Sequence, residues 1–527
     1  MKKNTIIGIV VVLLVLGIGI SFAYFVSGVL VSGNGSNVSI TPGDMLKVEY
    51  DAGSSKLVGN KLMPGDSVSK DFSVTITPTE TEKEVIYGIF INLTNNTFVK
   101  CDDSNYDELT NVCEKGSKEI TYTIKDKDRD IELASGNLTG KSGKIRLITE
   151  EKEVESKTVF NYTITITFKE TGKDQNHNQN KGIEGNIEVE FAEPIKGSEY
   201  ILSHYDTVLT RTLPLTTSSK VAGDTTETIY KSLDESQYDD DGEVYYFAGA
   251  PTDNYVKFAG YYWRIIRING DGSIRLIYSG DKESGPATIG EATQIGTSVF
   301  NENYDDNAYV GYMYGSPGSN NYAATHANTN NSTIKGVLDS WYQTNIANKG
   351  YGSKVSTEEG FCNDRRVAGS SETFWNSDTK RGYGTNTTAY APFSRFLTTG
   401  GSWASTQNPT FKCSQISSDM FTPTASSKGN KKLSSPVGLI TADEVVFAGG
   451  KGGTNNTSYY LYTGQNYWTM SPFNFTSGSA WGFFVYSDGT FGYSNVNGSS
   501  GVRPVINLSA DVKVTGSGTS SDPFVVV

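Results

Sequence analysis

Residues 255–280 read YVKFAGYYWRIIRINGDGSIRLIYSG, and this stretch decides how the second half of the chain folds. Two runs rich in β-branched and aromatic residues flank Asn269-Gly270-Asp271-Gly272. Asn-Gly and Asp-Gly supply the positive φ that tight hairpin turns demand, so the stretch is a β-hairpin. On its first strand Trp263, Ile265 and Arg267 share one face, and Tyr262, Arg264, Ile266 and Ile268 the other.

Outward from the hairpin the pattern alternates. Upstream, Thr225 to Leu233 reads as a short helix. Downstream, Ile334, Val337, Leu338, Trp341 and Ile346 follow helical spacing, with Ser332 as N-cap and Gly350 as stop. Thr441 and Glu444 form a T-x-x-E capping box before a two-turn helix ended by Gly449-Gly450. Strands then return: NYWTM leads into the loop SPFNFTSGS, AWGFFVYSDGTFGY turns at Asp488-Gly489, and GVRPVINL puts Val502, Pro504, Ile506 and Leu508 on one face. Pro504 lacks an N–H and belongs at a sheet edge or bulge. Trp481, Phe483 and Val485 read as core. After Leu508 two short strands enclose a Gly/Ser turn.

The first half is different. Phe72, Val74 and Ile76 alternate with polar residues, as do Val85 to Leu93, Ile120 to Ile124, Phe160 to Phe168 and Ile187 to Phe191. Five or more half-buried strands without a helical period between them predict a β-sandwich. The Pro- and Gly-bearing stretch EPIKGSE, from Glu193 to Glu199, is the natural boundary. The chain therefore divides into 1–31 (a signal peptide or single-pass membrane anchor), 40–193 (the sandwich), a linker 194–200, an α+β domain 201–510, and a β tail 511–527. The fold class is mainly β with minor α.

At the N-terminus, Lys2 and Lys3 precede an uncharged run from Ile6 to Val31. Its apolar stretch and the small residues Ser21 and Ala23 fit a leader cleaved before Tyr24, while its length also suits an uncleaved membrane helix. Under either reading the rest lies on the extracellular side, secreted or anchored. Four cysteines suit that oxidising space. Of three connectivities, the simplest pairs Cys101 with Cys113 and Cys362 with Cys413.

The 527 residues carry 45 Lys or Arg against 58 Asp or Glu, for a net charge of −13, with three histidines. An acidic chain without a basic block is a poor partner for nucleic acid. Its scattered His177, His204 and His326 make no His-rich zinc site, and HExxH is absent. Asp103, Asn105, Asp107 and Glu114 have the spacing of an EF-hand calcium loop, but Glu108 stands where the turn needs glycine. YDDDGE (Tyr238 to Glu243) and NENYDDN (Asn301 to Asn307) could bind calcium, with solvated turns the favoured reading. No cofactor is expected. A Ser-His-acid arrangement through His204 or His326 has no nucleophile-elbow motif behind it.

LMPGDSVSKDFSVTI, YTITITFKET, DQNHNQNKGIEGNIEVEF and the leader ending SFAYF together resemble the TasA/camelysin group of Gram-positive secreted proteins. The resemblance implies a jelly-roll-like sandwich, export, and fibres assembled by donating a strand. Camelysin-type members are also classed as metallopeptidases, for which this sequence offers no zinc-ligand pair. In the second half, the order hairpin, two helices, YW..SP, AW..F...G and VRPV resembles the C-type-lectin-like fold. The form it is most similar to is that of formylglycine-generating enzymes, retroelement variable proteins and Firmicutes surface proteins. That resemblance places a ligand-binding face on Phe473, Asn474 and Phe475 in one loop and Tyr493, Asn495 and Asn497 in another. Aromatics beside amides there could stack on sugar rings or anchor a protein partner. The reactive cysteine pair of the formylglycine-generating enzymes has no counterpart between the YW and VRPV segments.

The expected function is a bacterial cell-surface or secreted binding and adhesion protein. A β-sandwich stalk displays a lectin-like, non-catalytic domain to an extracellular protein or glycan ligand, with membrane contact only through an uncleaved N-terminal helix. The alternatives are a subunit of an extracellular (biofilm) matrix fibre self-assembled by strand exchange, and an enzyme using the lectin-like cleft.

Overall fold

The computed structural model describes residues 29–30, 38–39, 47–53, 57–78, 84–101, 113, 118–191, 195–205, 207–216, 228–369 and 380–527. The chain is mainly β, and it separates into two compact units, Met1–Ile195 and Lys196–Val527. The leader reading and the EF-hand-like loop fall almost wholly outside the described residues. Among the described residues, no helix is long and apolar enough to cross a membrane.

In the first unit two antiparallel sheets share one core. One runs Lys47–Asp51, Ser67–Thr77, Thr158–Phe168, Ile120–Asp126, Ile131–Asn137; the other has Lys181–Phe191, Glu84–Asn96 and Gly143–Glu153, with Leu57–Leu62 also paired to Lys181–Phe191. Because side chains alternate across each strand, Phe72, Val74, Ile76, Ile164 and Ile166 of one sheet meet Tyr87, Ile89, Ile91 and Ile187 of the other. Tyrosine hydroxyls tie the layers: Tyr87 and Tyr162 hydroxyls lie 2.5 Å apart, Tyr50 Oη donates to the Ile187 carbonyl at 2.9 Å, and Tyr122 Oη donates to the Leu147 carbonyl at 3.1 Å. Cys101 and Cys113 are disulfide-bonded.

The second unit is built on the predicted hairpin. Tyr261–Ile268 pairs with Ile274–Tyr278, which pairs in turn with Val505–Leu508. Gly272 has φ +87°, whereas Gly270 serves close approach: a Cβ there would lie 2.3 Å from Gly242 N and 2.5 Å from Asp239 Oδ1. A second sheet is centred on Tyr467–Thr476, Ser479–Val485 and Thr490–Asn495. Thr333–Asn345 is a helix whose Ser332 Oγ accepts the Lys335 N–H, and Ala442–Ala448 carries the full Thr441/Glu444 capping box before left-handed Gly449.

Four expectations change. Residues 197–202 are a helix rather than a linker, anchored where Gly197 N donates to the Val512 carbonyl. Ile229–Lys231 is a strand, held between Tyr245–Phe247 and Leu209, where a helix was expected. The tail is not separate, because Phe524–Val526 adds in parallel to Tyr255–Phe258. SPFNFTSGS is not a loop: Tyr467–Thr476 is one strand, bulged on both sides of Pro472. A bulge accommodates the missing proline N–H, so turn-like composition hid a strand.

Candidate functional site

The bulged strand relocates the expected ligand residues. Phe473 is 3% exposed, Phe475 is 1% exposed and Asn474 is buried, so these three are not display residues. Phe475 packs in the core, paired with Thr388 and Ala480. Phe473 instead supports one that is displayed. Its ring stacks on Tyr493 at 3.9 Å and 8°, and lies 4.9 Å from the Phe393 ring, tilted by 39°. Tyr493 is 38% exposed.

Neighbouring aromatics frame this ring. Trp481 stands edge-on at 6.1 Å and Trp403 lies 6.3 Å away. Both tryptophans are half-buried. Trp403 lies against Gly452, where a Cβ would meet its ring at 2.1 Å. Asn495 is the cross-strand partner of Trp481 and holds the turn by accepting the Asn497 N–H at 3.3 Å; Asn497 is exposed. The Trp481 indole N–H and Asn474 Oδ1 have no hydrogen-bond partner among the described residues. The result is a rigid aromatic shelf with amides at its margin. Of the three residues expected in the core, Phe483 and Val485 are buried, together with Phe484 on the opposite face, whereas Trp481 is only half-buried.

A second feature escaped the sequence reading. The acidic run Asp239–Asp241 is no solvated turn but one wall of a narrow cleft. Asp239 pairs with Arg267 at 2.7 Å and accepts the Gly270, Asp241 and Gly242 N–H groups. Glu444 Oε1 takes Arg267 and Arg275 at 3.1 and 2.6 Å; burial pushes its carboxyl up, but the two guanidiniums outweigh this and hold it low. Arg395 grips Asp443 through two 2.7 Å bonds and lies 2.8 Å from Asp364. Lys428 bridges Asp241 and Glu359, and Cys362–Cys413 is a disulfide in the cleft wall. Burial and the hydrogen bond with Asp241 push the Glu359 carboxyl up to about 8. The available signal was Arg264, Arg267 and Arg275 inside apolar strands, since a cation on a core face needs a buried counter-charge.

The remaining candidates are structural. Asp306 caps a short helix by accepting the Ala308 and Gly318 N–H groups. His326 is buried with Nε2 2.8 Å from the Gly382 carbonyl, and burial pushes its pKa well down; His204 Nδ1 meets the Tyr200 carbonyl at 2.9 Å. Trp263 and Arg503 are buried in the core. Among the described residues, no three His, Cys, Asp or Glu side chains are placed to hold a metal ion.

No family model and no curated protein matches the chain. Among solved structures, it is similar to a carbohydrate binding module from Cellvibrio mixtus lichenase 5A in complex with cellotriose, at 10% identity, over 32% of this chain and 89% of that one, with a TM-score of 0.13. A mutant family 29 carbohydrate binding module is matched at 10% identity, over 32% of this chain and 96% of that one, with a TM-score of 0.11. Neither likeness reaches the level at which it bears on fold or ligand.

Proposed function

We propose that the chain is a non-catalytic binding protein of the extracellular side of a bacterial membrane, in which a TasA/camelysin-like sandwich carries a lectin-like unit that binds a glycan. One observation carries the reading: Tyr493, 38% exposed, stacks on the buried Phe473 ring on a strand that continues to Asn495, with Asn497 just beyond. Sugars present flat C–H faces to aromatic rings and hydroxyls to amides, and a ring held from behind loses little entropy on binding. Two disulfides and the basic-apolar leader support the address.

The test is a glycan array probed with the full chain and with Tyr493→Ala. The proposal expects glycans that bind the native chain and drop at least about tenfold with the variant, a loss of about 1.4 kcal/mol. Equal binding by the variant, or capture of a protein but no glycan, would contradict it.

The matrix-fibre reading has its own support. The two-residue strand Val29–Leu30 pairs with Val189–Glu190, beyond the Lys181–Gly185 segment that Leu57–Leu62 covers. Pairing at this position is the kind that a strand donated by another chain could also make. Concentration-dependent filaments of the mature chain would favour it.

A further inference from the structure

The cleft walled by Asp239–Asp241 is a site separate from the Tyr493 shelf, sharing none of the residues that form it. Its charge is not balanced. Seven carboxyl groups line it, one of them Glu359, whose carboxyl is pushed up to about 8, against the guanidiniums of Arg267, Arg275 and Arg395 and the ammonium of Lys412, which bonds the Glu235 carbonyl. Lys428 adds one cation at the rim, on Asp241 and Glu359. Two carboxylates remain short of cations. Asp240 accepts the Cys413 N–H and forms no ion pair among the described residues. Asp364 shares Arg395 with Asp443, its side chain is 4% exposed, and its Oδ1 has no hydrogen-bond partner among the described residues. Leaving such an acceptor unmet in a buried place costs about 1–3 kcal/mol, and more for a charged group. A folded chain bears that cost when a ligand meets it.

We propose that this cleft binds a primary ammonium group, carried by a lysine side chain or by a free alkylamine, against Asp364 and Asp240. An ammonium supplies three N–H donors and one positive charge in a compact head, which is what the uncompensated carboxylates lack. Lys428 shows the same chemistry at the rim, its ammonium held between two carboxyls. The disulfide fixes the walls, joining the Cys362 segment to the Cys413 segment across 51 positions of sequence.

Binding is linked to a proton. The Glu359 carboxyl faces Asp241, Lys428, Arg267 and Asp271, and burial with the Asp241 hydrogen bond pushes it up to about 8. A new positive charge nearby favours the carboxylate, so that proton leaves to solvent as the amine enters.

The experiment is isothermal titration of the full chain at about pH 7, with 1,5-diaminopentane in one arm and Nα-acetyl-lysine methylamide in the other. The ε-acetylated lysine derivative is the uncharged control. The expected result is saturable binding of at least one amine, none of the control, and an apparent enthalpy that varies with the buffer's ionisation enthalpy because a proton is released. Binding by the lysine derivative alone assigns the site to a protein side chain, and preference for the diamine assigns it to a free amine. Asp364→Asn should lower affinity at least tenfold, while Glu359→Gln should keep binding and abolish proton release. No saturable binding by either amine, equal binding of the acetylated control, or unchanged affinity in a folded Asp364→Asn chain overturns the proposal. The amine-against-control comparison stands on the native chain even where the variant fails to fold.

Discussion

At the scale of single residues, function in this protein is separated from sequence position by packing. Phe473 and Tyr493 looked alike in sequence, as aromatics in adjoining loops; one is the buried support and the other the exposed ring of a single stack. Alternation locates a strand, but which aromatic is left uncovered depends on elements far along the chain, here Phe393. The charged cleft was illegible for a related reason. Asp241, Glu359 and Asp443 are far apart in sequence, and an acidic run by itself looks like a solvated turn. Glu359 gives this cleft a measurable signature. The folded chain holds its proton to about pH 8, whereas an unfolded Glu releases it near ~4.3. Between those values the folded state binds more protons than the unfolded, so this group's contribution to stability declines as pH rises. Thermal melting between about pH 5 and pH 8 should therefore show a falling Tm in the native chain and a flatter profile in Glu359→Gln. Identical slopes would contradict the raised pKa.

At the scale of elements, local rules read correctly wherever the local sequence controls the geometry. The helix Thr333–Asn345 begins at its Ser332 cap, and the Thr441/Glu444 box starts Ala442–Ala448, because capping is a transaction between residues three apart. The hairpin Tyr261–Tyr278 followed from its turn residues. Failure came where tertiary pairing overrode composition: Ser471-Pro472-Phe473-Asn474 has turn chemistry yet lies in a buried strand, with Ser471 Oγ accepting the Ala442 N–H. Glu444 links both scales, accepting the Thr441 N–H through one oxygen and binding Arg267 and Arg275 through the other. Thr441→Ala should cost about 1 kcal/mol of stability through the lost cap, read by denaturant unfolding. A loss below about 0.3 kcal/mol would mean that the two arginines alone position Glu444.

At the scale of the whole molecule, the mainly-β class was legible because apolar–polar alternation marks the strands of the first half, and β-branched and aromatic runs between turn residues mark those of the second, whereas the joins were not. A Pro/Gly stretch marked the boundary, but Gly197–Leu202 belongs to the second unit by its hydrogen bond to Val512. The C-terminal strand pairs with one about 270 residues earlier, Val256 beside Phe524, a pairing that no local pattern announces. Cys362–Cys413 is a second long-range tie, worth about 4 kcal/mol in the chain-entropy model for a loop of this length. Replacing both cysteines by serine should lower the Tm of the second unit's transition in calorimetry and weaken amine binding more than glycan binding. An unchanged Tm would show that packing alone holds the cleft walls.

The central claim is that Tyr493 is the floor of a glycan site. Its most direct measurement is the Kd of the full chain for an array-selected glycan, compared among the native chain, Tyr493→Phe and Tyr493→Ala at matched Tm. The account predicts that phenylalanine, which keeps the ring, stays within about threefold of native, while alanine loses at least about tenfold. Native-like affinity in the alanine chain, or an equal loss in both variants, would contradict it.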